Sequence, residues 1–337
     1  MHIHFHTTDS SLRSAVEDFV DEWNNIKTTI KVQSSGSTGA PKSIQLEKKF
    51  MEASARMTGT HLELNKGDSA LLCMSPETIA GKMMIVRSIV LEMELHVANI
   101  TSTPFTDIDI TTSIDFVAMV PVQVEASILH TPDKFKRIKK LIIGGGSIST
   151  QLNEKIIESG INSWQTFGMT ETISHIAMRK IEGNSTVYRA LPLISLSTNK
   201  GSLVISAPQL GIKELKTNDA VNLISSTSFV WLGRLDFVIN SGGIKIHPER
   251  IEQKIGRIIA SPYFSAGIPD EHLGQKHILC IEGNKSSLVK SQFETLLDKY
   301  TVPKEIYYFQ SFVYTKSGKI NRLKTLKAII NAEKQVL

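Results

Sequence analysis

The sequence predicts an α/β protein, with a mainly parallel sheet and crossover helices followed by a smaller α+β unit. Two patterns carry that expectation. Through the first half, segments with helically spaced apolar residues alternate with short apolar runs of strand length. From about residue 186 the chain turns β-rich, and beyond Asp236 strand and helix signals mix in a second, smaller unit.

Leu12, Val16, Phe19, Val20 and Trp23 fall on one helical face, which predicts a helix over 10–25. Ile30 and Val32, then Ile44 and Leu46, read as strands entering and leaving a turn. Helices are expected over 47–61 and 78–91, with strands at 69–73 and 94–98 between and after them. The run 115–119 is continuously apolar, as in a strand buried on both faces, and Pro121 suits the first turn of a helix over 121–130. A strand at 139–143, a helix over 149–159 and a strand at 163–166 complete the alternating part. Strands at 202–206, 221–224 and 228–232 follow. Past a boundary near Asp236, strands are expected near 237–239, 264–268, 277–281 and 305–309, with helices over 248–259 and 286–300.

Composition narrows the class. The 337 residues suffice for two domains, and 41% apolar with 21% charged residues is ordinary for a globular protein. A net charge of +5, from 38 Lys+Arg against 33 Asp+Glu, suits anionic small molecules. No basic tract is interleaved with aromatics, so nucleic acid is not an expected partner. Cys73 and Cys280 lack metal-ligand spacing and read as buried, reduced thiols. No apolar run is long enough to span a bilayer, and the expected location is the cytoplasm. A homo-oligomer is compatible with the sequence. His2, His4 and His6 alternate as on a strand and could bind metal, but an exposed N-terminal strand is the better reading.

The most telling stretch is Ser34-Ser35-Gly36-Ser37-Thr38-Gly39-Ala40-Pro41-Lys42. Gly36 and Gly39 let backbone N–H groups approach phosphate oxygens, the hydroxyls add donors, and Lys42 adds a mobile positive charge. A Walker A loop is excluded, because Ala-Pro separates Gly39 from Lys42. A flexible Ser/Gly linker has similar composition, but the flanking strand-like residues argue for a built phosphate loop.

Further segments follow in order: Phe167-Gly168-Met169-Thr170-Glu171-Thr172, Thr217-Asn218-Asp219, Gly233-Arg234-Leu235-Asp236 leading to Ser241-Gly242-Gly243 and Ile246–Glu252, and Ser317-Gly318-Lys319-Ile320-Asn321-Arg322. Together with the phosphate loop, this ordered set resembles the adenylate-forming superfamily of acyl-CoA synthetases. Asn218 replaces that superfamily's Gly, and Val313 its usual Pro. Within it the resemblance is strongest to the o-succinylbenzoate–CoA ligases of menaquinone biosynthesis, carried by Gly168–Ser174 and by Ile79–Arg87. His175 stands where those enzymes have Gln. The implied fold is a large N-terminal α/β adenylation domain in reduced form, residues 1–235, joined by a hinge to a small C-terminal α+β domain, residues 236–337.

The implied chemistry uses ATP, Mg²⁺ and CoA to activate a carboxylic acid through an acyl-adenylate. Catalysis is then mainly charge neutralisation and positioning. By the resemblance, Ser34–Gly39 and Lys42 cradle the phosphates, Thr170 donates to the α-phosphate, and Glu171 is the metal ligand. Gly144, Gly145 and Gly146 lie against the base, Phe167 stacks on it, and Gly168 and Met169 complete that wall. Asp219 and Arg234 hold the ribose. Lys319 is the adenylation lysine, bridging carboxylate and phosphate. Asp236 is the hinge, and Ser241, Gly242 and Gly243 form the loop that enters the site for the CoA step. Lys82, Arg87, Gln123, Ser174 and His175 are candidates for the acyl pocket, where the second carboxylate of o-succinylbenzoate needs a cation or donors. Two other readings remain open: adenylation of another acyl or aryl acid for CoA or a carrier protein, and a non-catalytic nucleotide-binding relative.

Overall fold

A computed structural model describes residues 1–33, 42–108, 113–183, 185–315 and 319–337. Among them a twelve-stranded sheet forms the larger body. From edge to edge its strands are Ile3–Phe5, Glu94–Val97, Ser69–Leu72, Ile114–Met119, Ile138–Ile143, Asn162–Gly168, His175–Lys180, Val187–Ala190, Ser228–Arg234, Ile212–Ser225, Ser202–Ala207 and Ser195–Asn199. The strands up to Asn162–Gly168 run parallel, and from there onward every neighbour is antiparallel.

The parallel half is apolar throughout because both faces are covered. Alternate residues serve opposite cores: Leu72, Phe116 and Ala118 pack with Met51, Met84 and Val86 of helices Lys48–Leu62 and Ile79–Val90. Leu71, Val117 and Met119 turn instead to Val124, Leu152 and Ile156 of helices Pro121–His130 and Thr150–Ser159. Local signals fix where helices begin. Asp9 accepts from the Ser11 and Leu12 N–H groups ahead of Ser10–Asn24, and Ser149 from Leu152 N–H ahead of Thr150–Ser159. The strands Thr29–Gln33 and Ser43–Glu47, which flank the expected phosphate loop in sequence, pair antiparallel, with Gln33 opposite Ser43. Ser34, Ser35, Gly36, Ser37, Thr38 and Gly39 lie outside the described residues.

The smaller sheet runs Ile244–Ile246, Ile239–Ser241, Gly274–Glu282, Glu305–Phe309, Glu333–Val336, with Tyr263–Asp270 also on Gly274–Glu282. Phe293, Ile306 and Leu279 lie in the core on one face, and Phe264, Cys280 and Phe312 in that on the other. Both cysteines are buried free thiols. Among the described residues no helix is long and apolar enough to cross a membrane.

Several expected elements differ. The strand at 221–224 is the end of a longer one, Ile212–Ser225, whose first half carries Lys213, Glu214 and Lys216 and so lacks an apolar run. Residues 235–237 form a 3₁₀ turn, and the strand begins at Ile239. The helix expected over 286–300 is confined to Lys290–Glu294. Gln335 Nε2 of the final strand donates to Leu288 O at 2.8 Å, ahead of this short helix.

Phe293 is wholly buried in the smaller core. Phe293→Ala is expected to destabilise this unit by about 3–5 kcal/mol in urea unfolding. A loss below about 1 kcal/mol would contradict its place in the packing.

Candidate active site

Of the predicted residues, Gly144–Gly146 and Gly168–Glu171 lie at or just past the carboxyl ends of parallel strands, the usual ligand edge of an open α/β sheet. Strand Ile138–Ile143 runs into Gly144–Gly146, tied back by Gly144 N–H to Met119 O at 3.0 Å. Gly145 has φ +77°, and a Cβ on Gly144 would stand 2.7 Å from Thr166 Oγ1, so backbone alone fits there.

The next strand, Asn162–Gly168, is where the sheet changes direction. A Cβ on Gly168 would fall 2.4 Å from Ser174 O and 2.5 Å from His175 Cα, so the chain can double back only on glycine. Thr172 fastens the turn, its Oγ1 accepting from Met169 N–H at 2.9 Å and lying 2.7 Å from Ser174 O. Thr170 and Glu171 sit at its tip, in a 3₁₀ turn. Neither side chain bonds a described residue. Glu171 is exposed, a hard carboxylate with no cation bonded to it among the described residues, and suits Mg²⁺. Phe167 is half-buried and lies edge-on to Tyr188 and Phe229, with centroids 6.0 and 5.1 Å away.

Asp219 and Arg234 are register partners on neighbouring strands. Asp219 is buried and accepts from Trp231 Nε1 at 2.9 Å. Burial raises its pKa, against the lowering pull of Trp231 and Arg234. Arg234 reaches Asp236 at 3.3 Å, and its buried Nε bonds no described residue. Lys319 arrives from the smaller unit. Its side chain is exposed, and desolvation first, then the positive charge of Arg234, lower its pKa. Thr315 N–H donates to Lys319 O at 2.8 Å, and Val313 N–H donates to Thr325 Oγ1 at 3.1 Å. A proline at 313 could not make that second bond. Ser317 and Gly318 lie outside the described residues. Lys42 is exposed beside the Ser43–Glu47 strand.

A cavity of about 480 Å³ opens between the two units, lined by Gln165, Tyr188, Trp231, Glu249, Glu252 and Arg322 among others. Its walls adjoin the predicted residues: Ser147 follows Gly146, Ile320 follows Lys319, and Trp231 holds Asp219. Trp231, Glu249, Glu252 and Arg322 were not singled out as functional from sequence. Arg322 pairs with Glu252 at 2.7 Å and lies over the Phe237 ring at 4.9 Å. Glu249 accepts from Arg234 N–H at 3.3 Å and packs against Gly233, where a Cβ would meet its Oε2 at 2.2 Å.

The acyl candidates divide. Arg87, Ser174 and His175 come together with Thr58. Arg87 donates to Ser174 Oγ at 2.6 Å, and His175 is 3.1 Å from Thr58 Oγ1 and 3.3 Å from Ser174 Oγ. Arg87 is buried with no carboxylate bonded to it among the described residues, and burial lowers its pKa to about 10. Burial, then Arg87 and His61, hold His175 well below the ordinary histidine range. Lys82 points elsewhere, 4.1 Å from the Phe19 ring and 3.9 Å from Glu22. Gln123 is saturated, donating to Cys73 O and Thr101 O and accepting from Val120 N–H. Ser241, Gly242 and Gly243 form a tight hairpin, with φ +56° and +81° at the two glycines.

A glycine-bounded sheet edge with a buried carboxylate and an arginine as neighbours is compatible with a nucleotide-binding enzyme of the AMP-forming class, which the chain's similarity to known proteins supports. Residues 32–195 match the family model of AMP-binding enzymes. A solved acyl-CoA synthetase (AMP-forming)/AMP-acid ligase II-like protein from Dyadobacter fermentans is 33% identical, with 95% of each chain covered and a TM-score of 0.64. The chain belongs to this family of AMP-forming acyl-CoA synthetases. It is also 24% identical to the 2-succinylbenzoate–CoA ligase of Listeria monocytogenes, over 91% of this chain and 71% of that one. For the Enterococcus faecalis ligase the figures are 26%, 85% and 66%, so the chain spans about two thirds of the length of these relatives. The Bacillus subtilis o-succinylbenzoate–CoA synthetase, solved with ATP and magnesium ion, shares the fold at a TM-score of 0.78 and 19% identity, covering 88% of this chain and 69% of that one.

Glu249 gives the site a pH signature. Burial, with Glu252 adding, raises its pKa from 4.5 to about 7 despite Arg322. The folded state therefore holds a proton that the unfolded chain releases. The contribution is full below pH 4.5 and is lost as pH rises through 7. Glu249→Gln is expected to flatten this fall, gaining roughly 2–3 kcal/mol over wild type at alkaline pH in urea unfolding. Parallel pH profiles for the two proteins would contradict the assignment.

Proposed function

We propose that this protein joins o-succinylbenzoate to CoA through an acyl-adenylate, with residues 1–235 holding nucleotide and acid and residues 236–337 moving about Asp236. The observation that carries the choice of acid is Arg87, a buried guanidinium with hydroxyl partners and no carboxylate bonded to it among the described residues. A diacid activated at one carboxylate leaves the other to be neutralised, and a desolvated arginine beside Ser174 and Thr58 provides for it. The sequence similarity to curated 2-succinylbenzoate–CoA ligases supports the same reading.

In the first step the acid's carboxylate oxygen bonds to the α-phosphorus of ATP as the bond to pyrophosphate breaks. Two anions must meet, so the chain's task is to supply positive charge and donors at the reacting oxygens. Lys319 neutralises the carboxylate and α-phosphate, and Thr170 donates to that phosphate. Glu171 would hold Mg²⁺, which supplies further charge neutralisation on the phosphates. Asp219 and the free Arg234 Nε bind the ribose, and Lys42 with the Ser34–Gly39 loop the outer phosphates. In the second step the CoA sulfur, its proton lost to solvent, bonds to the acyl carbon as AMP leaves. The Ser241–Gly243 hairpin would replace the lysine segment for that step. The cytoplasm, where these co-substrates are made, is the expected location.

Mass spectrometry of product from ATP, Mg²⁺, CoA and o-succinylbenzoate is expected to show the mono-thioester. Turnover of other acids with this one inert would overturn the choice of substrate. Lys319→Ala is expected to slow adenylation by roughly 10²–10³-fold, while thioester formation from supplied acyl-adenylate survives; equal loss in both half-reactions would remove Lys319 from the first. Arg87→Gln is expected to raise KM for o-succinylbenzoate by about 10–100-fold, the scale of one charge-assisted contact, leaving KM for ATP near wild type. An unchanged KM for the diacid would exclude Arg87 from its binding.

A further inference from the structure

The outer edge of the parallel sheet carries a second group of donor atoms that the ligase chemistry does not use. Strand Ile3–Phe5 pairs in parallel with Glu94–Val97, with His4 opposite His96. Side chains alternate along each strand, so Ile3, Phe5, Leu95 and Val97 turn to the core while His4, Glu94 and His96 share the other face. His6 extends the same row, its backbone N–H bonded to Val97 O at 2.9 Å. The His4 and His6 rings both stack on His96, with centroids 4.7 and 5.2 Å away. His6 Nε2 lies 2.9 Å from His96 Nδ1, and His4 Nε2 lies 3.8 Å from Glu94 Oε2. One donor atom from each of His4, Glu94 and His96 falls within 4.8 Å of the others.

We propose that His4, Glu94 and His96 bind a divalent transition-metal ion of the zinc type, with His6 as a positioning residue that holds the His96 ring. Two imidazoles and a carboxylate suit Zn²⁺ and disfavour Mg²⁺, which prefers all-oxygen surroundings. Donors around a tetrahedral zinc stand about 3.4 Å apart. Small rotations of half-exposed side chains close the present spacing, and water fills the fourth position. The bound ion cross-links the edge strand to the sheet, so metal binding and the anchoring of residues 3–5 are one event.

Isothermal titration of the metal-stripped full chain with Zn²⁺, without nucleotide, is expected to give one micromolar-or-tighter site, with a visible absorption band when Co²⁺ is used instead. Excess Mg²⁺ is expected not to compete. His4→Gln, Glu94→Gln and His96→Gln should each weaken binding by more than about 10-fold, and His6→Gln by about 10-fold as an orienting partner. Zinc should raise the melting temperature of wild type and not of the His4→Gln/His96→Gln double variant. Equal zinc affinity in that double variant, or no stoichiometric binding to wild type at micromolar zinc, would overturn the proposal.

Discussion

The site depends on one close approach, that of Gly168 to the backbone of Ser174 and His175. No side chain fits between them, so the parallel strand Asn162–Gly168 must reverse at once into the antiparallel strand His175–Lys180. The reversal leaves Thr170 and Glu171 at the tip of the turn. It also sets Ser174 and His175 down against Arg87 of helix Ile79–Val90. One glycine thus couples the phosphate side of the site to the side proposed for the acid. Any residue with a Cβ at 168 would disturb both, whichever contact it displaced first.

The second organising feature is the charge between the two units. Arg234 belongs to the last strand of the large sheet that enters the site, and its backbone N–H is held by Glu249 of helix Pro248–Ile255. Arg322 answers Glu252 and lies over Phe237 in the connecting segment. At Lys319, desolvation and then the like charge of Arg234 disfavour the ammonium. An anion between them would relieve that repulsion, which is the physical sense in which ATP and an acid complete this site. Glu249 has one carboxylate oxygen on Arg234 N–H and the other, Oε2, buried with no partner among the described residues. It is thus the acid at this junction whose charge is least well accommodated.

Much of this was legible before the fold was known, because local chemistry does not depend on what packs around it. The alternation of helical and strand spacing marked the elements of the parallel half, and Pro121 placed one helix start. The ordered glycine, threonine and acidic segments implied the chemistry. Long-range pairing was not legible. The polar half of strand Ile212–Ser225 is a strand because Ser202–Ala207 pairs with it, not because its own residues favour one. The helix expected over 286–300 spans only Lys290–Glu294, and the final strand reaches back to Leu288 O just ahead of it.

The sequence by itself determined the class of fold, the residue types available for phosphate, metal and ribose, and the lysine near the end. Tertiary structure decided which charged candidates share a space. Lys82 and Arg87 lie on the same short helix, and their spacing alone does not say which way each points. Packing turns Lys82 to Phe19 and Glu22 and buries Arg87 beside Ser174 and His175. Gln123 likewise read as a pocket residue until its three hydrogen bonds to backbone were seen. A side chain's type fixes what it can bind; whether it is already bound depends on atoms tens of residues away, which only the folded chain brings near.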